Sequence, residues 1–158
     1  MKGDKALRED VVHLLTRRNA HIEFVRAVAG LAPALRGKKP RGAAHSAWQQ
    51  VEHIRRCQRD IMEYVWSPDY VEMRWPDDYW PDAAPGPGEW ERSIRGFTAD
   101  RRALVRRVRD PRTNLLARVP YDTSGPTILH EILLIAAHTS YHLGQLIILR
   151  RILGAWRD

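Results

Sequence analysis

The chain holds a single cysteine, Cys57, among its 158 residues. No disulfide can form within it, so its stability has to come from a packed core. No apolar run approaches the roughly 18–20 residues needed to span a bilayer. The best stretch, 132–137, is cut short by His138. The N-terminal MKGDKALRED carries no apolar segment, so no secretory leader is expected. No convincing two-residue alternation of apolar and polar side chains occurs, which argues against strands. The chain also lacks a zinc-finger, RNP or basic-zipper pattern. Its charge of +7, from 26 basic and 19 acidic residues, still invites a nucleic-acid reading. The basic residues, however, are scattered in doublets such as Arg17–Arg18, Arg55–Arg56, Arg101–Arg102 and Arg106–Arg107, with acids interleaved. Solvated helix faces account for that pattern better than a nucleic-acid surface. The expectation is one domain over residues 1–158, cytoplasmic, with neither membrane nor nucleic acid as partner.

What is present is helical periodicity. Four segments show it: 5–31, 46–65, 89–109 and a last one that follows Gly125–Pro126 and runs to about 153. The first carries Leu7, Val11, Leu14, Leu15, Ile22, Val25 and Val28 as its apolar stripe. The second opens at Ser46 with Gln49 three residues on, the spacing of a capping box. The fourth is expected to be capped near Pro126 or Thr127 and to stop at Gly154. Between the second and third lies SPDYVEMRWPDDYWPDAAPGPG (67–88), too rich in proline and glycine for long regular structure. Its Trp75, Tyr79 and Trp80 are costly to leave in water, so an ordered crossover packed along the helices is expected. Four helices with one long connection predict an all-α four-helix bundle.

The last segment contains AAHTSYHLGQL (136–146), with His138 and His142 four residues apart. That spacing sets them about 40° apart around a helix and about 6 Å apart along it, so both imidazoles can reach one metal ion. The intervening TSY contains no glutamate, which removes the zinc-protease motif and its general base. Two hydrogen-bonded structural histidines are the plainer alternative. Glu131 and Gln145, seven residues either side of His138, fall within about 20° of its position on the helix. In the second segment His53 shares a stripe with Gln49, Cys57 and Asp60. One histidine from that helix would complete a three-histidine set with an open coordination position, as in catalytic sites.

Three stretches together, HSAWQQVEHIRRCQRDI (45–61), WPDDYWP (75–81) and AAHTSYHLGQLIILRRILGAW (136–156), resemble the DinB-like (YfiT-like) superfamily. The likeness extends to AHIEFVRAVAGL (20–31) and so to essentially the whole chain. The resemblance implies an up-down-down-up bundle, often dimeric, with a Trp/Pro-rich crossover between its second and third helices. It implies a divalent metal, zinc or nickel, held by His53, His138 and His142. It further implies a metal-dependent enzyme on a small molecule, either a thiol-dependent S-transferase using a low-molecular-weight thiol or a hydrolase. A non-catalytic dimeric bundle with a structural or vestigial metal is the alternative.

Other side chains are weighed around that core. Gln49, Glu131, Gln145, His21 and Tyr141 are the expected supporting or pocket residues, with His21 as readily a donor to a carbonyl and Tyr141 as readily at a dimer contact. Cys57 reads as a small buried hydrophobe rather than a ligand. Asp60 reads as a hydrogen-bond partner of a helix neighbour. His13 and His130 are expected at the surface and His45 in a loop. Arg150 and Arg151 suit the negative end of the last helix dipole.

Overall fold

Ser46 and Gln49 close a capping box at the start of the second long helix: the Gln49 amide donates to Ser46 Oγ and the Ser46 amide to Gln49 Oε1. The computed structural model in which this is seen describes residues 2–17, 20–81, 84–122 and 124–156. The fold is all-α. Its helices are α1 (Lys2–Thr16), α2 (Phe24–Val28), α3 (Pro33–Arg36), α4 (Ala47–Trp66), α5 (Glu89–Arg109) and α6 (Ile128–Ile152). Among the described residues the only β feature is an isolated bridge between Arg118 and Thr127. Thr127 caps α6, its hydroxyl accepting from the His130 amide, and Gly154 follows the helix with φ of 66°, a left-handed turn that glycine makes without strain.

Segment 5–31 is not one helix. Its buried residues change phase: Val11 and Leu15 face inward in α1, whereas Phe24, Ala27, Val28 and Leu31 do so afterwards. Nine residues separate Leu15 from Phe24, half a turn out of register on a continuous helix. Such a helix would turn Val25 inward in place of Phe24; instead Val25 is 60% exposed and Phe24 stacks on Phe97 at 3.8 Å. The chain therefore ends α1 and restarts.

α4 packs against both α5 and α6, and α1 lies against α5 and α6. Two apolar clusters result. One gathers Val11, Leu15, Val65, Leu104, Val108, Ile132 and Ile135; the other gathers Phe24, Trp48, Val51, Ile54, Trp90, Phe97, Leu143 and Leu146. Each aliphatic side chain so buried contributes about 1.5–3 kcal/mol of transfer free energy.

Buried Arg8 and Arg150 and half-buried Arg101 close the helix ends that these clusters bring together. Arg8 donates to the carbonyl of Val108 in the last turn of α5 and to those of Asp110 and Thr113 beyond it. Arg101 donates to Leu15 O at the end of α1. Arg150, 4% exposed, donates to Ala27 O at the end of α2 and to Ala155 O, a specific tie rather than a general dipole effect. Carbonyls left open by a helix terminus need such partners.

The crossover 67–88 is ordered over its described residues; Asp82 and Ala83 lie outside them. Tyr79 and Trp80 are half-buried as expected, but Trp75 is 70% exposed. Among the described residues its ring meets those of Tyr79 and His53, at centroid distances of 5.3 and 6.4 Å. Finally, α6 is long and apolar enough by composition to cross a membrane. Run length missed this because His138, Thr139, Ser140 and His142 interrupt the apolar residues without lowering the mean far. Core helices share this composition.

Candidate metal centre

α4 presents one stripe, Gln49, His53, Arg56 and Asp60, to the crossover, and each of the four side chains holds it. Gln49 Nε2 donates to Pro81 O at 2.8 Å and Arg56 to Asp78 O at 2.8 Å. Asp60 accepts from the hydroxyls of Tyr79 and Tyr70 at 2.7 and 3.1 Å. His53 Nδ1 lies 3.2 Å from Tyr79 O. A carbonyl can only accept, so that nitrogen carries the proton and Nε2 carries the lone pair. The loop so fastened lays Trp80 flat on the His53 ring at 3.7 Å, with His45 on the other side of the indole at 3.6 Å.

Opposite this stripe, α6 brings His138 and His142. The Nε2 atoms of His138 and His53 are 3.1 Å apart. The ring of His142 stands 4.6 Å from that of His53 and 4.4 Å from that of His138, centroid to centroid. His142 Nδ1 is 2.6 Å from Gln50 Oε1, and Gln50 Nε2 in turn donates to Gln145 Oε1 at 2.7 Å. With its amide nitrogen committed to Gln145, Gln50 offers His142 an acceptor. Nδ1 is therefore the protonated nitrogen there too, leaving Nε2 for another partner.

Cys57 completes the cluster from α4. One ligand atom from each of His53, Cys57 and His138 lies within 4.8 Å of the others, a grouping able to hold a metal ion. The Cys57 sulfur is 3.5 Å from Nδ1 and 3.6 Å from Nε2 of His53. Near-equal distances set it over the ring face, off the in-plane direction of the lone pair.

Burial fixes the protonation states. It lowers the pKa of His53 to about 4 and that of His142 to about 3, the neighbouring imidazoles adding to the effect. His138 is lowered by burial as well. All three are neutral near pH 7, the form in which imidazole ligates. The Cys57 thiol is pushed up to about 12 by burial and by Asp60, and stays protonated.

Residues 18–146 match the DinB superfamily. The chain belongs to the DinB superfamily. Neither a curated protein nor a solved structure matches it.

The expected supporting residues of this DinB-superfamily chain fall in different places. Gln145 joins the cluster through Gln50. Gln49 serves the capping box and the crossover rather than an imidazole. Glu131 is buried in the first turn of α6, about 10 Å along the helix from His138, and burial raises its pKa. His21 donates to the carbonyl of Ile22 and lines a cavity on another face of α6. Tyr141 is 67% exposed with its ring edge-on to His142 at 4.9 Å. Among the described residues Asp60 is hydrogen-bonded to the crossover tyrosines, not to a helix neighbour. His13 and His130 are exposed, as expected. Gln50 escaped the sequence reading, whereas Trp80 entered it as a packed residue of the crossover without a tie to His53. Gln50 stands three residues before His53, a spacing that shares a helix face, and that was its available signal. The stacking of Trp80 on His53 had no signal in the sequence beyond the aromatic character that placed it in a packed crossover.

Proposed function

We propose that this DinB-superfamily protein is a divalent-metal-dependent enzyme acting on a small molecule, with His53, His138 and His142 as the metal ligands. The observation that carries the reading is the arrangement of imidazole nitrogens. Two Nε2 atoms meet at 3.1 Å, while the Nδ1 atoms of His53 and His142 are tied back to Tyr79 O and Gln50. Tying one ring nitrogen to fix the other is how proteins orient imidazole ligands. Zinc and nickel suit a neutral imidazole set. The ion supplies Lewis acidity that makes a nucleophile of a thiol or water near pH 7, the chemistry shared by S-transfer and hydrolysis.

The chain's own groups do the positioning. Tyr79 O and Gln50 hold the rings in one tautomer, Trp80 covers one face of His53, and half-buried His138 together with exposed Tyr141 leaves the α6 side open to a substrate. Cys57, a protonated thiol over a ring face, packs against the set.

The same reading includes a homodimer. Ile148 and Ile152 are exposed on one side of the C-terminal half of α6, a helix whose opposite side is core, and a second copy would cover them.

The test is purification without chelator, metal analysis, and assay of the loaded and metal-free protein. The assays pair low-molecular-weight thiols with electrophiles, and offer ester and amide substrates. Turnover that depends on the metal and on each histidine supports the proposal. Full metal occupancy without turnover in either assay leaves a structural ion and ends the enzyme reading.

A further inference from the structure

On a different face of α6 from the histidines, toward α1, α2 and α5, lies a cavity of about 190 Å³. Thr139 and Leu143 line it; each follows a site histidine directly and so points about 100° away around the helix. Leu14, Phe24, Phe97 and Ala136 make the rest of an apolar wall. A void of this size and character takes a group as large as a benzene ring.

Arg101 lines the same cavity. Its Nε donates to Gln58 Oε1 at 2.7 Å, one terminal nitrogen to Leu15 O at 3.2 Å and the other to Thr139 Oγ1 at 3.0 Å. Gln58 and Thr139 are themselves fixed, by Phe97 O and Ile135 O. All three acceptors are neutral, and no carboxylate pairs with Arg101 among the described residues. A guanidinium has five N–H donors, and these bonds use three. Burial lowers the pKa to about 10, which leaves the charge in place at pH 7. The half-buried guanidinium lies over the Phe97 ring at 4.9 Å and has no counter-charge among the described residues, so it can still receive one.

The cavity continues along α5 into a groove of about 530 Å³ lined by Arg102, Arg106 and Arg109. Among the described residues Glu23 is the one acid in either lining. The field at the mouth is therefore positive, and the floor holds an oriented cation beside an aromatic wall.

We propose that this cavity binds a small carboxylate with an apolar body, its carboxylate received by Arg101 and its body by the Phe24–Phe97 wall. The proposal stands independently of the metal centre. A fork of N–H donors matches a carboxylate better than any neutral group of the same shape.

Phenylacetate is the probe, titrated calorimetrically into the full chain, with phenylacetamide and acetate as controls. One phenylacetate binds per chain, and each control binds about tenfold or more weakly. Arg102→Glu, an exposed change, weakens phenylacetate, and Ala136→Leu removes binding by filling the cavity with Arg101 intact. Arg101→Gln abolishes the preference for the acid over the amide. Metal-free protein binds equally well. Equal affinity for acid and amide, full binding in Ala136→Leu, or absence of binding overturns the proposal. Loss of binding with the metal assigns phenylacetate to the metal centre and overturns it as well.

Discussion

The Nε2 atoms of His53 and His138 stand 3.1 Å apart across the seam between α4 and α6. Two nitrogens on one tetrahedral zinc, each about 2.0–2.1 Å from it, are separated by about 3.3 Å. The pair is thus set close to the spacing an ion requires. His53 spends its proton on Tyr79 O, so its Nε2 presents a lone pair across that seam.

Cys57 and His142 are the two contenders for the third position, and substitution separates them. Cys57→Ala is expected to keep metal occupancy close to that of the unsubstituted chain, because the thiol sits over a ring face. His142→Ala, like His53→Ala and His138→Ala, loses it. Elemental analysis of the purified variants reads the result. Loss in Cys57→Ala with retention in His142→Ala exchanges their roles.

Adjacent glutamines should behave differently. Gln50→Leu removes the acceptor that orients His142 and is expected to weaken metal binding about 10–100-fold, as loss of a ligand's hydrogen-bond partner does. Gln49→Ala breaks the capping box and the tie to Pro81. It is expected to lower stability by about 1 kcal/mol and leave the metal affinity within a few-fold. Competition with a chromophoric chelator and thermal melts measure the two quantities. Equal effects of the two changes on affinity would contradict the assigned partnership.

The metal-free protein should lose stability as pH falls. His53 and His142 have folded pKa values of about 4 and about 3, below the ordinary imidazole value of 6.5. The unfolded chain therefore takes up protons first. Their contribution is fully present above about pH 6.5 and is lost progressively as pH drops toward 4. Melting temperature followed from pH 7 to pH 4 should decline more steeply for the unsubstituted chain than for a His53→Gln, His142→Gln double variant. Parallel curves would show that these imidazoles titrate normally.

Self-association through α6 is expected to depend on its exposed apolar side. Ile148→Asp places a charge there, at a residue 58% exposed. Sedimentation velocity should show a dimer for the unsubstituted chain and a monomer for the variant. A monomer for both removes the homodimer from the proposal.

Helix boundaries were largely legible in the residues. Ser46 with Gln49, the 89–109 periodicity and the Thr127–Gly154 limits each encode a local event: a cap, an apolar stripe, a left-handed stop. Such events involve neighbours within a turn or two, so a single strand of sequence contains both partners. The histidine stripe on α6 was legible for the same reason, since His138 and His142 are four residues apart.

What depends on residues far apart was decided by tertiary structure. The break between α1 and α2 follows from Phe24 finding Phe97, and no feature of 5–31 reveals that contact. Gln50 rather than Gln49 supports an imidazole because its partners, His142 and Gln145, lie on another helix. Cys57 comes within reach of His53 and His138 only when α4 and α6 pack, and Trp80 reaches His53 only because Asp60, Arg56 and Gln49 fasten the crossover. Sequence by itself determined the bounds of α4, α5 and α6 and which of their residues are candidate ligands. Packing determined which of them meet, because a contact between distant residues is selected by the whole core and not by either partner's neighbours.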